Sequence, residues 1–350
     1  MKEFDIKSMT LDEIENVTAQ MNLPRFRAQQ IYKWLQKDGV MSYDEMTDIS
    51  KELRQALSEK YPIYSCRAEV KQESKTDGTV KYLFRLSDGN FIESVLMKYK
   101  YGYTLCVSSQ VGCKMGCMFC ASTKSGFVRS LQPSEILGQI HAAQRDMNIR
   151  ISHIVLMGMG EPLDNFDNVI RFIDLAGDEN GLNLSKRNIS LSTCGIVPKI
   201  YELMDKHYPI TLSISLHAPN DKLRSQIMPV NRKYHIDELL EACKIYTEKT
   251  SRRISFEYAM IRDMNDSDEC AKKLSELLKG MLCHVNLIPA NEIAESGHKR
   301  SSAERLERFS AILRKNGINV TVRRSLGGDI DASCGQLRSR YNTEKGGTTE

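Results

Sequence analysis

No apolar run in the 350 residues approaches the ~18 that a membrane-spanning helix needs, which excludes a helical membrane protein. The opening residues, MKEFDIKSM, contain no continuous apolar stretch that would serve as a signal sequence, so a cytoplasmic location is expected. Tryptophan occurs once, and low-complexity sequence is confined to a polar tail, Asn342 to Glu350; with 41% hydrophobic residues the composition is neither disordered nor collagen-like. A strong charge of one sign is missing too: 49 Lys and Arg face 45 Asp and Glu, a net charge of +4 that says little about partners. What the chain has in number is cysteine, ten in all. Without a secretory signal these should be thiols, so a tight cluster of them points to metal or redox chemistry rather than to a disulfide scaffold.

The charge is unevenly spread. From Gly297 to Arg340 there are ten basic and four acidic residues, whereas residues 1–60 carry nine basic and eleven acidic. The carboxy-terminal excess can face phosphates. Lys299 to Lys315 equally has the pattern of an amphipathic helix whose charges would point to solvent.

Residues 1–65 read as a helical module. Thr10-Leu-Asp-Glu13 and Ser42-Tyr-Asp-Glu45 match the capping box, in which hydroxyl and carboxylate each satisfy a free N–H of a first helical turn, and Pro24 opens a further helix. Residues 66–100 form a linker in which the pattern changes to alternation from Val80 to Met97, with Tyr82, Phe84 and Leu86 on one face and Asp88-Gly89 as a turn, which predicts a β-hairpin. Across 101–340 one theme repeats: an apolar β-rich run, a loop, then a helical stretch. The runs are Thr104 to Ser108, His153 to Met157, Asn188 to Ser192, Thr211 to Leu216, Ile254 to Ile261 and His284 to Ile288. Six such units predict an α/β fold, a partial (β/α)6 barrel whose parallel strands are buried on both faces and whose function sits at their carboxyl ends. Residues 341–350 form the tail.

The strongest chemical signal is Cys113-Lys-Met-Gly-Cys117-Met-Phe-Cys120, in the loop after the first barrel strand. Three thiolates on a four-iron cluster leave one iron open to an outside ligand; zinc with a distant fourth ligand, in a zinc-stabilised RNA-binding protein, is the alternative. At the end of the second strand stands Met157-Gly-Met-Gly160-Glu161-Pro162, where glycines let a ligand approach the backbone and a carboxylate can accept from an ammonium. Together the two motifs resemble the radical S-adenosylmethionine (SAM) superfamily, whose open iron chelates the amino acid end of SAM.

Three more features narrow the resemblance. Cys334 lies in Gly328-Asp-Ile-Asp-Ala-Ser-Cys-Gly-Gln336, Cys106 stands seven residues ahead of the cluster motif, and Glu93 lies in Asn90-Phe-Ile-Glu-Ser-Val-Leu-Met97. With these, the chain from about Arg25 to Arg338 resembles the RlmN/Cfr family of RNA methyltransferases. It is most similar to members that methylate adenine C2 of 23S rRNA and tRNA; methylation of C8 is the alternative within the family. The resemblance implies a [4Fe-4S] cluster on Cys113, Cys117 and Cys120. It implies SAM held by Gly160, Glu161, Ser192, Ser215, Leu216, His217 and Asn291. Cys334 would accept the methyl group, Cys106 would close a transient disulfide with Cys334, and Glu93 would accept the ring proton. Two SAM would be used per turnover, with electrons from flavodoxin or ferredoxin, by a monomer.

Ser333 departs from the family's usual alanine and Glu292 from its usual proline. On the residues alone, Glu93 could be an exposed strand carboxylate, Cys106 a buried small hydrophobe and His217 a satisfied core histidine. Cys66, Cys194, Cys243, Cys270 and Cys283 match no motif and are expected to be structural.

Overall fold

The computed structural model describes residues 5–124, 126–289, 300–324, 326–330, 335–338 and 340–341. Asn291, Ser333, Cys334 and the polar tail from Asn342 lie outside the described residues.

The amino-terminal module is helical, with α1 Leu11–Gln20, α2 Arg25–Tyr32 and α3 Lys51–Lys60. The Thr10 capping box forms, Glu13 accepting from the Thr10 N–H at 2.8 Å and Thr10 Oγ1 from the Glu13 N–H at 3.3 Å. The Ser42 box closes only a 3₁₀ turn, Tyr43–Glu45. The module is fastened to the barrel by polar contacts: Ser134 Oγ donates to the buried Asp5 at 2.6 Å, Tyr32 to Asp178 at 2.8 Å, and Arg171 grips Glu13 with both terminal nitrogens.

The linker is more than a hairpin. Strands β1 Arg67–Glu73, β2 Val80–Arg85 and β3 Phe91–Tyr99 form an antiparallel meander, and β3 pairs antiparallel with the first barrel strand, β4 Gly102–Cys106. A short antiparallel ribbon, β5 Gln110–Gly112 and β6 Phe127–Ser130, follows, enclosing the cysteine loop and the single turn α4 Ala121–Lys124. The alternating units are α5 Pro133–Met147, β7 Ile151–Leu156, α6 Phe166–Gly177, β8 Ile189–Thr193, α7 Val197–Asp205, β9 Thr211–Ser215, α8 Asp221–Ile227, α9 Ile236–Thr250, β10 Ile254–Met260, α10 Asp268–Leu277, β11 Cys283–Pro289, α11 Ala303–Lys315 and β12 Val320–Val322. The sheet order is β1-β2-β3-β4-β7-β8-β9-β10-β11-β12, and every pairing from β4 onward is parallel. The six expected barrel strands are therefore present, and β12 adds a seventh after the last helix.

The strands are apolar on one face only; the other face is largely polar and partly buried. Ile189, Leu191, Leu212, Ile214, Phe256, Val285 and Leu287 are fully buried and pack with helix residues such as Val169 and Phe172 of α6, each contributing roughly 1.5–3 kcal/mol. The alternate residues form polar rows across the strands: Ser192 pairs with Ser213 and that with Ser255, while Ser215 pairs with Glu257 and that with Asn286. A barrel of seven strands does not close on itself, so its inner face can carry polar groups around a ligand space.

Candidate active site

The cysteine loop is shaped by its own ends. At Gly112, with φ +77°, a Cβ would meet the Gly126 carbonyl oxygen at 1.7 Å, so glycine is obligatory where the ribbon closes. Thr123 Oγ1 donates to the Cys120 carbonyl at 2.8 Å, and the Met118 N–H donates to the Ile227 carbonyl of α8 at 2.9 Å. Cys113, Cys117 and Cys120 line one wall of a cavity of about 310 Å³. Burial pushes the Cys113 thiol up to about 12, and burial with the neighbouring Cys120 and Cys113 sulfurs pushes Cys117 higher still. Such thiols stay protonated until a metal displaces the proton, as iron ligation does.

Among the described residues no three His, Cys, Asp or Glu side chains gather around one point as a single ion requires. Three thiols on one cavity wall, Cys113 buried and Cys117 and Cys120 partly so, fit a polynuclear cluster, which spreads its thiolate ligands over its separate irons. A four-iron cluster on three thiols would have one iron without a protein ligand; the far wall of the cavity is built by the strand ends.

From the loop after β7 come Gly160 and Glu161, from β8 Ser192, from β9 Ser215 and, just beyond its end, His217. Glu161 is buried and its carboxylate accepts the Cys194 N–H at 2.7 Å and the Leu163 N–H at 3.0 Å, so it also ties the exits of β7 and β8 together. Burial raises its pKa. Gly160, with φ +104°, lies so close to Gln110 that a Cβ would meet the Gln110 N at 2.8 Å. The glycine thus lets this loop pack on the ribbon as well as face the cavity.

His217 has φ +57°, sits edge-on to Phe119 at 4.8 Å, and accepts the Ala259 N–H on Nδ1 at 2.9 Å. Burial lowers its pKa to about 3, so the ring is neutral, with its proton on Nε2. Leu216 differs from its expected place: its side chain is fully buried in the hydrophobic core and does not line the cavity.

Glu93 and Cys106 lie to one side, neither of them in the cavity wall. Glu93 on β3 is 2% exposed; its carboxylate is 2.6 Å from Lys81 Nζ and accepts the Gly335 N–H at 2.6 Å and the Arg338 N–H at 2.7 Å. It is therefore not an exposed strand carboxylate. Cys106, at the end of β4, is buried beside Val95 and Met97, with Val155, Met157 and Leu326 against them. Asn291 and Cys334 lie outside the described residues.

Cys194 and Glu257 are among the cavity residues that the sequence did not reveal. Cys194, expected to be structural, lines the cavity and supplies the N–H that Glu161 holds; a backbone donor leaves no mark in sequence. Glu257, 4% exposed, faces the cavity and accepts from Asn286 at 2.8 Å and Ser255 at 3.0 Å, with burial raising its pKa. The interruption of an apolar strand by a carboxylate was its visible signal. Cys66, Cys243 and Cys283 are buried as expected, whereas Cys270 is partly exposed.

Comparison with known proteins agrees with this geometry. The family model "Radical SAM superfamily" matches residues 107–274, and "Ribosomal RNA large subunit methyltransferase N-terminal domain" matches residues 4–63. A relative from Lachnospira eligens, named "Probable dual-specificity RNA methyltransferase RlmN", is 55% identical over 96% of this chain and 96% of its own. A relative of the same name from Alkaliphilus oremlandii is 54% identical over 97% of this chain and 99% of its own. The crystal structure of a radical SAM methyltransferase from Sphaerobacter thermophilus superposes with a TM-score of 0.92 at 43% identity, covering 95% of this chain and 99% of that one. The chain belongs to the RlmN family of radical SAM RNA methyltransferases.

Proposed function

We propose that this chain methylates C2 of an adenine in 23S rRNA and in tRNA, carrying the methyl group on Cys334. The observation that carries the reading is the single cavity in which the three thiols of the cysteine loop face Glu161, Ser192, Ser215 and His217. Cys113, Cys117 and Cys120 hold the [4Fe-4S] cluster. Gly160, Glu161, Ser192, Ser215, Leu216 through its backbone, His217 and Asn291 bind SAM. Held by these residues, the cluster and SAM together would supply radical chemistry of the kind that an inert C–H bond requires.

Adenine C2 is electron-poor and bears only hydrogen, so a carbon carried on a protein sulfur is a route to it that direct methyl transfer lacks. Cys334 provides that sulfur, and Glu93 takes the ring proton once the new carbon–carbon bond has formed. The Glu93 carboxylate bonds to the N–H of Gly335, next in sequence to Cys334, which supports this pairing of roles. Cys106 then attacks the Cys334 sulfur: the carbon–sulfur bond breaks with its electron pair on the carbon, which takes a proton to become the methyl group, and the disulfide left behind is reduced by an external thiol before the next turnover.

The helical module, the antiparallel strands and the basic carboxy-terminal region hold a folded RNA whose target adenine is unstacked towards the cavity. Flavodoxin or ferredoxin supplies electrons, and the protein works as a monomer in the cytoplasm; no helix among the described residues is long and apolar enough to cross a membrane. Nucleoside mass spectrometry of a 23S rRNA fragment treated with reconstituted protein tests the reading: 2-methyladenosine is expected, and 8-methyladenosine or no product overturns it.

A further inference from the structure

Behind the cavity lies a charge that the reaction has not used. Arg224, in the middle of α8, is 0% exposed. Its Nη2 donates to the carbonyls of Cys194 at 2.6 Å and Ser215 at 3.1 Å, its Nε to the Leu216 carbonyl at 3.2 Å, and its Nη1 to Asn231 Oδ1 at 2.9 Å. All four acceptors are neutral. The closest carboxylate in this network, Asp221, is one link further away, accepting from Asn231 at 2.8 Å. A buried guanidinium without a paired carboxylate is costly, and packing alone could be achieved by an apolar side chain of similar size.

The three carbonyls are the carboxyl ends of β8 and β9, adjacent strands that contribute Ser192, Ser215 and His217 to the cavity. On its other side Cys194 gives its N–H to Glu161. One line of hydrogen bonds therefore runs from Glu161 through Cys194 and Arg224 to Ser215 and Leu216, joining the exits of β7, β8 and β9. The planar fork of arginine spans such separated acceptors at fixed angles; a lysine ammonium cannot.

We propose that Arg224 is the positioning residue for SAM, holding the ends of β8 and β9 at the spacing the bound molecule spans. The helix that carries Arg224 also holds the cysteine loop, the Ile227 carbonyl accepting the Met118 N–H at 2.9 Å, so the fixed positive charge would offset the negative charge that arrives when the loop's thiols become iron ligands. The inference rests on the function proposed above and assigns to that site a residue it did not include.

The test uses the full chain reconstituted anaerobically with iron and sulfide, as wild type, Arg224→Gln and Arg224→Lys. Iron content and thermal midpoint are measured first, then SAM affinity by calorimetry and the cluster's reduction potential by titration followed by electron paramagnetic resonance. Losing charge-assisted bonds predicts that Arg224→Gln weakens SAM binding by about tenfold or more, at wild-type iron content, and moves the potential to more negative values. Arg224→Lys keeps the potential near wild type but still weakens SAM binding, since the charge remains and the fork is gone. A purely structural pin would not separate the two readouts. SAM affinity within about twofold of wild type in Arg224→Lys, or in an Arg224→Gln protein that retains its cluster, overturns the inference. If Arg224→Gln does not fold, Arg224→Lys decides alone. A wild-type chain that assembles no cluster and binds no SAM overturns the proposed function instead.

Discussion

The carboxylate of Glu93 and the backbone N–H of Gly335 are 2.6 Å apart, although 242 positions separate them in the chain. A strand of the antiparallel linker thereby holds the segment immediately after Cys334, and Arg338 gives the same carboxylate a second N–H. A second fastening lies just ahead of that segment. Asp329 accepts from Ser74 Oγ at 2.6 Å and from the Lys75 N–H at 2.9 Å, in the turn between β1 and β2.

Glu93 as proton acceptor has a measurable signature. Glu93→Gln keeps an oxygen to accept from a backbone amide but takes no proton. Turnover should fall by about 10²–10⁴-fold, the usual contribution of a general base. Methylation of Cys334, which removes no ring proton, should persist. Activity within tenfold of wild type would reduce Glu93 to an anchor.

Lys81 and Glu93 form an ion pair with side-chain exposures of 0% and 2%. Lys81→Met leaves a buried carboxylate without its cation and should destabilise the fold by about 3–5 kcal/mol. Adding Glu93→Gln should recover part of that loss, because no charge is then stranded. Urea denaturation of the two single variants and the double variant checks this; additive losses would mean that the pair is not coupled.

Cys106→Ala removes the proposed resolving thiol. Without it the methylene-bridged adduct between Cys334 and RNA has no route to release, so the variant should migrate on a denaturing gel with RNA attached. Clean multiple turnover by that variant would refute the assignment.

The seam between the helical module and the barrel holds a buried lysine, Lys7, whose Nζ donates to the Val40 carbonyl at 3.1 Å. Burial lowers its pKa from 10.5 to about 8. Below pH 8 the group is charged in both folded and unfolded states, and the folded state carries the full burial cost. Between about 8 and 10.5 the unfolded chain binds the extra proton, so stability rises with pH across that window. Lys7→Met should therefore stabilise the protein at pH 7 by up to about 3 kcal/mol, at 1.36 kcal/mol per pKa unit. The gain should shrink towards pH 10.5. Melting curves at pH 7 and pH 9.5 test it, and a gain equal at both would contradict the account.

Much of the barrel was legible because its strands and helices announce themselves locally. Ser267 and Ser302 each cap a helix where a hydroxyl precedes a helical run. β12 was missed because Val320–Val322 is three residues long and largely exposed, and β1 because Arg67–Glu73 is a mostly exposed, charged edge strand without an apolar stripe. The cysteine loop was legible as chemistry, since its spacing is its function. Arg224, Glu257 and Cys194 were not, because their parts depend on backbone carbonyls, a backbone N–H and neighbours on other strands. Leu216 shows the converse: a residue assigned through its motif turns its side chain into the core.

The central claim is that the methyl group passes through a protein cysteine. Mass spectrometry of the tryptic peptide spanning residues 325–338, from chain expressed and purified anaerobically with its cluster intact, tests it most directly. The account predicts a single methyl group on Cys334, absent from Cys334→Ala. An unmodified Cys334 in protein that nevertheless produces 2-methyladenosine would contradict it.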